Sequence, residues 1–369
     1  MILSEPSQGR LRVSNLDEVL AEARQGRAFL IVADAQAGTS GLIAAPARST
    51  TPDQVNFMVR HGRGLVCLAI TRERARGLKL PLQEERGRPA EAIPFTVSIE
   101  AREGVTTGIS AQDRAHTIRV AVDGASGPSD LVSPGHIFPV LASDGGVLVR
   151  AGFPEAAVDL CTAAGLDPSA AICQVLDEDG EPASTETLAR LAQDHDLRIL
   201  SIADLIPFRR RTETIVERTF ERSVPTIHGA DFRMVIYRNR LDGAEHIAMI
   251  RGEPKPDIPT LVRSHAIDLA TDLFGHDNGR RGRIDSAMQV LAASSSPGVA
   301  VFLRNPAITW ASHYAEGVDE PVLTSREYGI GAQILRDIGV RRMILLTDNP
   351  PKASSLEAYD LVVEGVQSF

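Results

Sequence analysis

Groups able to do chemistry crowd into one short run, Gly104-Val105-Thr106-Thr107-Gly108-Ile109-Ser110, followed closely by Asp113 and Arg114. Two glycines and three hydroxyls can turn backbone N–H groups and side-chain oxygens toward an anion. Ser110 or Asp113 is placed to cap the helix that carries Arg114. The same residues also suit an ordinary strand-to-helix loop, and both readings stand at this point. Thiol chemistry is less well supported. Cys67, Cys161 and Cys173 are far apart and sit in apolar runs, which describes buried free thiols in a reducing compartment.

The elements that must position these groups follow from periodicity. Upstream of the glycine run, Phe95, Val97 and Ile99 alternate with polar residues, as in a half-buried strand. Leu16–Gln25 has helical spacing behind Asn15, Phe29–Val32 reads as a buried strand, and Leu42–Ala45 as another. Helix is expected over Pro52–Arg60, strand over Leu65–Ile70, and a polar loop over Leu78–Ala92. Beyond the glycine run, the pattern predicts a strand at Val147–Val149 and a helix at Glu155–Ala164 ended by Gly165. A strand at Ile172–Leu176 and a helix at Thr187–His195 follow. Leu205–Arg211, with Pro207 and three arginines, reads as a solvated boundary. After it, Phe232–Tyr237 and His246–Arg251 form a hairpin pattern across Asp242-Gly243. Asp285–Ser294 is helical, Val299–Leu303 a strand, Arg326–Ile338 a helix stopped by Gly339, and Met343–Thr347 a strand. Alternating strands and helices give an α/β (α+β) class, with two domains that each hold a mixed sheet and packed helices.

Composition sets outer bounds. The 369 residues suit two ordinary domains, and 43% hydrophobic with 24% charged residues is globular. A net charge of −9 argues against nucleic-acid or anionic-membrane binding, while leaving room for a small phosphorylated ligand held by local cations. No run is long enough to span a membrane and no signal peptide is read at the start, so a cytoplasmic location is expected.

Longer stretches carry a resemblance. FTVSIEAREGVTTGISAQDRAHTIR (95–119), VRHGRGLVCLAIT (59–71), SPGHIFPVLASDGGVLVR (133–150) and EAAVDLCTAAGLDPSAAICQVLDEDG (155–180) resemble 3,4-dihydroxy-2-butanone 4-phosphate synthase, an enzyme of riboflavin biosynthesis. REYGIGAQILRDIGVRRMILLTDNP (326–350), Lys352 and LEAYDLVVE (356–364) resemble GTP cyclohydrolase II. AEHIAMIRGEP (244–254) and LVRSHAIDLATDLFG (261–275) do so more weakly. The implied domains are 1–208, synthase-like, and 209–369, a degenerate cyclohydrolase II-like domain.

What the resemblance implies about chemistry is mixed. The synthase family splits ribulose 5-phosphate into formate and a four-carbon phosphate on magnesium or manganese. Its metal-binding acidic run falls at Ala37-Gly38-Thr39-Ser40-Gly41-Leu42, and its metal-ligating histidine at Phe153, followed by Pro154. Its catalytic glutamate falls at Gln174, whose amide cannot exchange a proton near neutral pH. His136 matches a catalytic histidine, while a satisfied scaffold histidine remains the other reading. Thr107, Asp113, Arg114 and Arg150 match binding positions, and Arg150 could pair with a phosphate. In the second domain the zinc cysteines fall at Asp268 and within Gly279-Arg280-Arg281-Gly282, and no cysteine follows Cys173. Asp268 with His265 or His276 could form another cation site, but Arg280 and Arg281 oppose it. The substrate run falls at Arg304-Asn305-Pro306-Ala307-Ile308, while Thr347 and Lys352 match positions near the nucleotide.

The expectation is therefore a riboflavin-pathway homologue without either standard activity and without a bound cofactor. It would regulate, scaffold or hold a sugar-phosphate or nucleotide-like ligand. Residual or altered synthase chemistry through His136 and Arg150 is the alternative. A homodimer is expected, as in the synthase family, and a mixed dimer with an active homologue is a second expectation.

Overall fold

The computed structural model describes residues 11–35, 40–83, 94–229, 231–275, 282–304, 325–347 and 359–368. The chain divides into two compact units, Met1–Arg209 and Arg210–Phe369.

The first unit opens with α1 (Leu16–Arg24), capped by the Asn15 side chain on the Asp17 N–H. β1 (Phe29–Val32), β2 (Gly41–Pro46), α2 (Pro52–Phe57), β3 (Arg63–Ile70) and α3 (Arg72–Gly77) follow. Then come β4 (Ile99–Ala101), α4 (Ala111–Val122), β5 (Leu131–Leu141), α5 (Phe153–Ala163), β6 (Ala170–Val175), α6 (Thr185–Asp194), β7 (Ile199–Ser201) and α7 (Ile202–Thr212). The seven strands form one mixed sheet in the order β4-β5-β3-β6-β2-β1-β7. Both of its faces are covered, which is why β1 and β2 are apolar or small at every position and fully buried. Leu30, Val32, Ile43 and Leu68 point to one face, under residues of α2, α4 and α6. Phe29, Ile31, Leu42 and Cys67 point to the other, under α1, α5 and α7. This is the period-2 alternation of strand side chains, with helices on both sides.

Several expectations need correction. Val147–Val149 is not a strand. A 3₁₀ turn occupies Gly146–Leu148, because Gly145 and Gly146 both take positive φ and the Val147 N–H bonds the Asp159 carboxylate at 2.7 Å. The strand expected from Phe95 is reduced to Ile99–Ala101. The Thr96 N–H reaches the Pro139 carbonyl and the Leu141 N–H reaches that of Pro94, but neither proline has an N–H to return, so no continuous ladder forms. Pro52–Arg60 is helical throughout, as expected, but changes type: it is α-helical to Phe57 and π-helical over Met58–Gly62, ending in Arg63 at φ 64°. Leu205–Arg211 does contain the division between the two units, but the chain does not break there, since α7 continues through Pro207. Arg209 in that run is buried and ion-paired with Asp159 of α5.

The second unit contains β8 (Val216–Pro225), β9 (Asp231–Asn239), β10 (Glu245–Arg251), β11 (Thr260–Ala266), a short α8 (Leu269–Asp272), α9 (Arg283–Ala293) and β12 (Gly298–Leu303). It ends with α10 (Ser325–Ile338), β13 (Arg342–Leu346) and β14 (Val362–Gln367). The sheet order is β14-β13-β11-β12-β10-β9-β8. β11 pairs in parallel with β12 and β13, and β13 with β14, while β8, β9 and β10 form an antiparallel meander. Phe232, Leu261, Leu291 and Ala300 centre the core beneath α9. Both units are therefore mixed sheets with packed helices, as expected.

Candidate functional site

The glycine run lies between β4 and α4 and is tied down by one carboxylate. Asp113 accepts hydrogen bonds from the Thr106 hydroxyl at 2.8 Å and the Gly108 N–H at 3.1 Å. Those bonds, the Thr106 hydroxyl foremost, hold the Asp113 carboxyl below the usual carboxylate range despite its burial. Its own N–H donates to Ser110, which caps α4. Ser110, not Asp113, is thus the cap. Asp113 serves to close the loop, and Thr106 rather than Thr107 is its hydroxyl partner. Thr107 itself is exposed and bonds to no described residue.

This folded loop brings Gly108 against a histidine–carboxylate pair. His136 on β5 faces Glu100 on β4, with Nδ1 2.6 Å from Oε2. The other Glu100 oxygen accepts from the Thr117 hydroxyl at 2.9 Å, and Thr117 in turn accepts from the Ala101 N–H at 3.1 Å. Glu100 is nearly buried, its side chain 10% exposed, whereas His136 is 42% exposed. A buried carboxylate fixed at both oxygens orients the imidazole and leaves Nε2 as the ring's outward nitrogen. Such a pair can accept or deliver a proton, or hold an anion when protonated. Arg114, one helix position beyond Asp113, lies near Glu100 and Cys173, and burial lowers its pKa against those two neighbours. Its Nε is buried and has no hydrogen-bond partner among the described residues.

Arg150 does not join this cluster among the described residues. Its Nε lies 2.7 Å from Glu155, a carboxylate with no solvent exposure, and a terminal nitrogen reaches the Leu141 carbonyl at 3.3 Å. Glu155 also accepts the Ser143 N–H at 2.8 Å. Position 153 turns away from cation chemistry. The Phe153 ring packs against the apolar cluster under α5, and Pro154 beside it is buried. Gln174 is exposed at the end of β6, next to a buried Cys173 whose thiol is pushed up to about 11 chiefly by burial. Of the positions matched to the acidic run, Leu42 is buried in the core, and 37–39 lie outside the described residues. Among the described residues, these positions do not bring together a donor set for a hard divalent cation.

The second unit gathers a different set where β11 ends. His265 Nε2 lies 2.8 Å from Asp272, which also accepts the Asp268 N–H at 2.9 Å. The Thr271 hydroxyl donates to Asp268 at 2.7 Å, and Arg263 approaches His265 Nδ1 at 3.5 Å. The carboxylates are thus engaged by one another's helix turn, beside a guanidinium. Among the described residues no three metal-binding side chains converge. A catalytic zinc needs three protein ligands, so this arrangement does not fit one. His276, Gly279–Arg281, Asn305–Ile308 and Lys352 lie outside the described residues.

Sequence patterns alone missed Glu100, Thr117 and Glu155. One signal was available for two of them. Asp113 and Thr117 are four apart on α4, hence on one face, and Glu100 is a charge flanked by apolar Ile99 and Ala101 in a strand.

Residues 17–208 match the model of the family 3,4-dihydroxy-2-butanone 4-phosphate synthase, and residues 217–368 that of GTP cyclohydrolase II. The chain belongs to the 3,4-dihydroxy-2-butanone 4-phosphate synthase family, in the form fused to a GTP cyclohydrolase II-type domain. Among curated relatives, it is 39% identical to the monofunctional riboflavin biosynthesis protein RIBA 2, chloroplastic, of Arabidopsis thaliana, over 98% of this chain and 78% of that one. It is also 39% identical to the 3,4-dihydroxy-2-butanone 4-phosphate synthase of Pseudomonas aeruginosa, over 96% of this chain and 98% of that one. Among solved structures, RibBX, a two-domain 3,4-dihydroxy-2-butanone 4-phosphate synthase from A. baumannii, superimposes with a TM-score of 0.72 at 36% identity. That match covers 96% of this chain and 99% of RibBX. The family places the chain in riboflavin biosynthesis, and its two mixed-sheet domains match the two-domain architecture of RibBX. No helix among the described residues is long and apolar enough to cross a membrane.

Proposed function

We propose that this chain is a riboflavin-pathway homologue that performs neither standard reaction at the family rate and acts as a ligand-holding regulator or scaffold. The observation that carries this reading is Phe153 packed into the apolar cluster, with Pro154 beside it, where the resemblance implies a metal-ligating histidine. Gln174 at the matched glutamate position supports it, as does the lack of any cysteine beyond Cys173 for a zinc site. The retained groups suit holding an anion: His136, and Arg114 with a buried Nε that bonds nothing described. A small sugar phosphate is the fitting ligand class, and the cytoplasm the fitting compartment. The decisive experiment is a magnesium-dependent assay with ribulose 5-phosphate. We expect no formate above background; release at the rate of an active family member would overturn the proposal. Elemental analysis is expected to find no stoichiometric zinc, and one zinc per chain, lost on Asp268→Ala, would overturn that part.

A second reading, residual or altered lyase chemistry, is favoured by one observation. The Thr117–Glu100–His136 chain is complete and the imidazole remains open to solvent. Slow formate release abolished by His136→Ala would select it. Association belongs to the same proposal. Ile109, Val132 and Val149 are exposed apolar residues within the stretches that match the family, 55%, 36% and 48% exposed. A two-fold pairing through such a patch would cover them in a homodimer, or in a mixed dimer with an active homologue. A monomer at micromolar concentration by light scattering would refute the first, and only pure homodimers on co-expression the second.

A further inference from the structure

At the opposite end of the first sheet from the start of β2 and the end of β6 lies a cleft of about 270 Å³. Its walls are the end of α1, the turn that follows β2, and the loop from α5 to β6. That volume is just below the ~300–1,000 Å³ usual for small-molecule pockets, so it suits a compact ligand rather than a nucleotide. Arg24 and Arg48 both line it, with Asp167 as the one carboxylate and Ser49 as the one hydroxyl among the lining residues.

The arginines are not needed to build the walls. Arg48 is exposed and bonds to no described residue. Arg24 spends only its Nε, on the Ala164 carbonyl at 3.3 Å. The walls are held by other bonds. Gln54 donates to the Gly26 carbonyl at 2.6 Å, and the Ala47 N–H donates to Ser169 at 3.1 Å. Gly26, at φ 70°, permits the close approach, since a Cβ there would stand 2.9 Å from the Ser49 hydroxyl. The cleft is therefore formed before any ligand arrives, which lowers the ordering cost of binding.

We propose that this cleft binds a small phosphate: inorganic phosphate or a compact phosphate monoester. Two guanidiniums with unused N–H forks match phosphate oxygens in bidentate geometry. Asp167, which already accepts from the Ser169 hydroxyl, can accept further from an alcohol group on an organic ester, and the Ser49 hydroxyl, which donates to the Pro46 carbonyl at 3.3 Å, can accept from one; inorganic phosphate carries no alcohol group. The proposal is independent of the His136 cluster, because no residue is shared between the two places.

The test uses the full-length chain, isotopically labelled, titrated with inorganic phosphate and separately with glycerol 2-phosphate. Saturable shifts of the Gln25, Gly26 and Ser49 amides are expected. Arg48→Glu should weaken both probes by about tenfold or more, since one charge-assisted partner becomes repulsive. Arg48 supports no described contact, so that variant keeps its melting temperature. His136→Ala should bind at the cleft as the unaltered protein does. Tighter binding of the ester assigns an organic ligand, and equal binding assigns phosphate itself; both support the site. Absence of saturable shifts at these amides, unchanged binding by Arg48→Glu, or shifts confined to residues 104–110 would overturn it.

Discussion

Replacing Gly108 by alanine should damage the His136 cluster more than any change of charge on the surface. Gly108 sits at φ 83°, where an alanine costs ~1–2 kcal/mol. The added Cβ would also stand 2.0 Å from the Glu100 Oε2 and 2.6 Å from the His136 Nδ1. Neither can yield freely. Glu100 is pinned by Thr117 through its other oxygen, and the Glu100–His136 contact is the bond that must open. A hydrogen bond to a charged group contributes ~1.5–3 kcal/mol, toward the lower figure here because His136 is half exposed. Together the two effects come to about 3 kcal/mol, a melting-temperature drop of roughly 6–12 °C for a unit of this size. Urea unfolding followed by circular dichroism measures the loss, and the His136 ring nitrogen resonances report whether the pair has parted. Gly124→Ala is the control, since a Cβ there meets nothing within 4 Å and φ is not positive. A cost for Gly108→Ala below about 1 kcal/mol, with His136 resonances unchanged, would refute the reasoning.

Arg209→Met should cost about 3–5 kcal/mol in urea unfolding, because it strands the buried Asp159 carboxylate; a cost under ~1 kcal/mol would show the pair to be dispensable. Burial first, then His195, Arg60 and Arg63, lower the pKa of His61, whose ring lies 4.4 Å from that of His195 and 4.6 Å from Phe57. The unfolded chain then binds the proton more tightly, so this contribution is intact above the ordinary value of 6.5 and lost as pH falls through the lowered one. His195→Gln should raise the His61 midpoint in a nuclear magnetic resonance titration, and an unmoved midpoint would exclude the coupling. Burial pushes Cys67 and Cys161 up to about 12 and Cys173 to about 11, so all three should resist thiol reagents at pH ~8 until denaturant is added. Rapid labelling of native protein would contradict this.

Most helices and central strands were legible because their causes are local. Asn15, Ser110 and Ser184 cap α1, α4 and α6 with their own side chains, and β1 is four apolar residues in a row. The errors fell where partners distant in sequence decide. Val147 turns because Asp159, twelve residues on, takes its N–H. Phe95 and Thr96 leave the ladder because of Pro139 on another strand. Arg209 is buried because Asp159 waits under α7, although its neighbours in sequence are Arg210 and Arg211.

For the site, the division is the same. The sequence by itself determined the family and the loop of glycines and hydroxyls. Only the tertiary structure decided which groups meet. His136 acquires Glu100 through antiparallel pairing of β4 with β5. Asp113 turns inward to close its own loop, and Arg150 is engaged by Glu155. Spacing along a chain specifies which side chains share a helix face or a strand face. It does not specify which carboxylate from another strand or helix will arrive to satisfy a buried cation, and that pairing is set by sheet order and register.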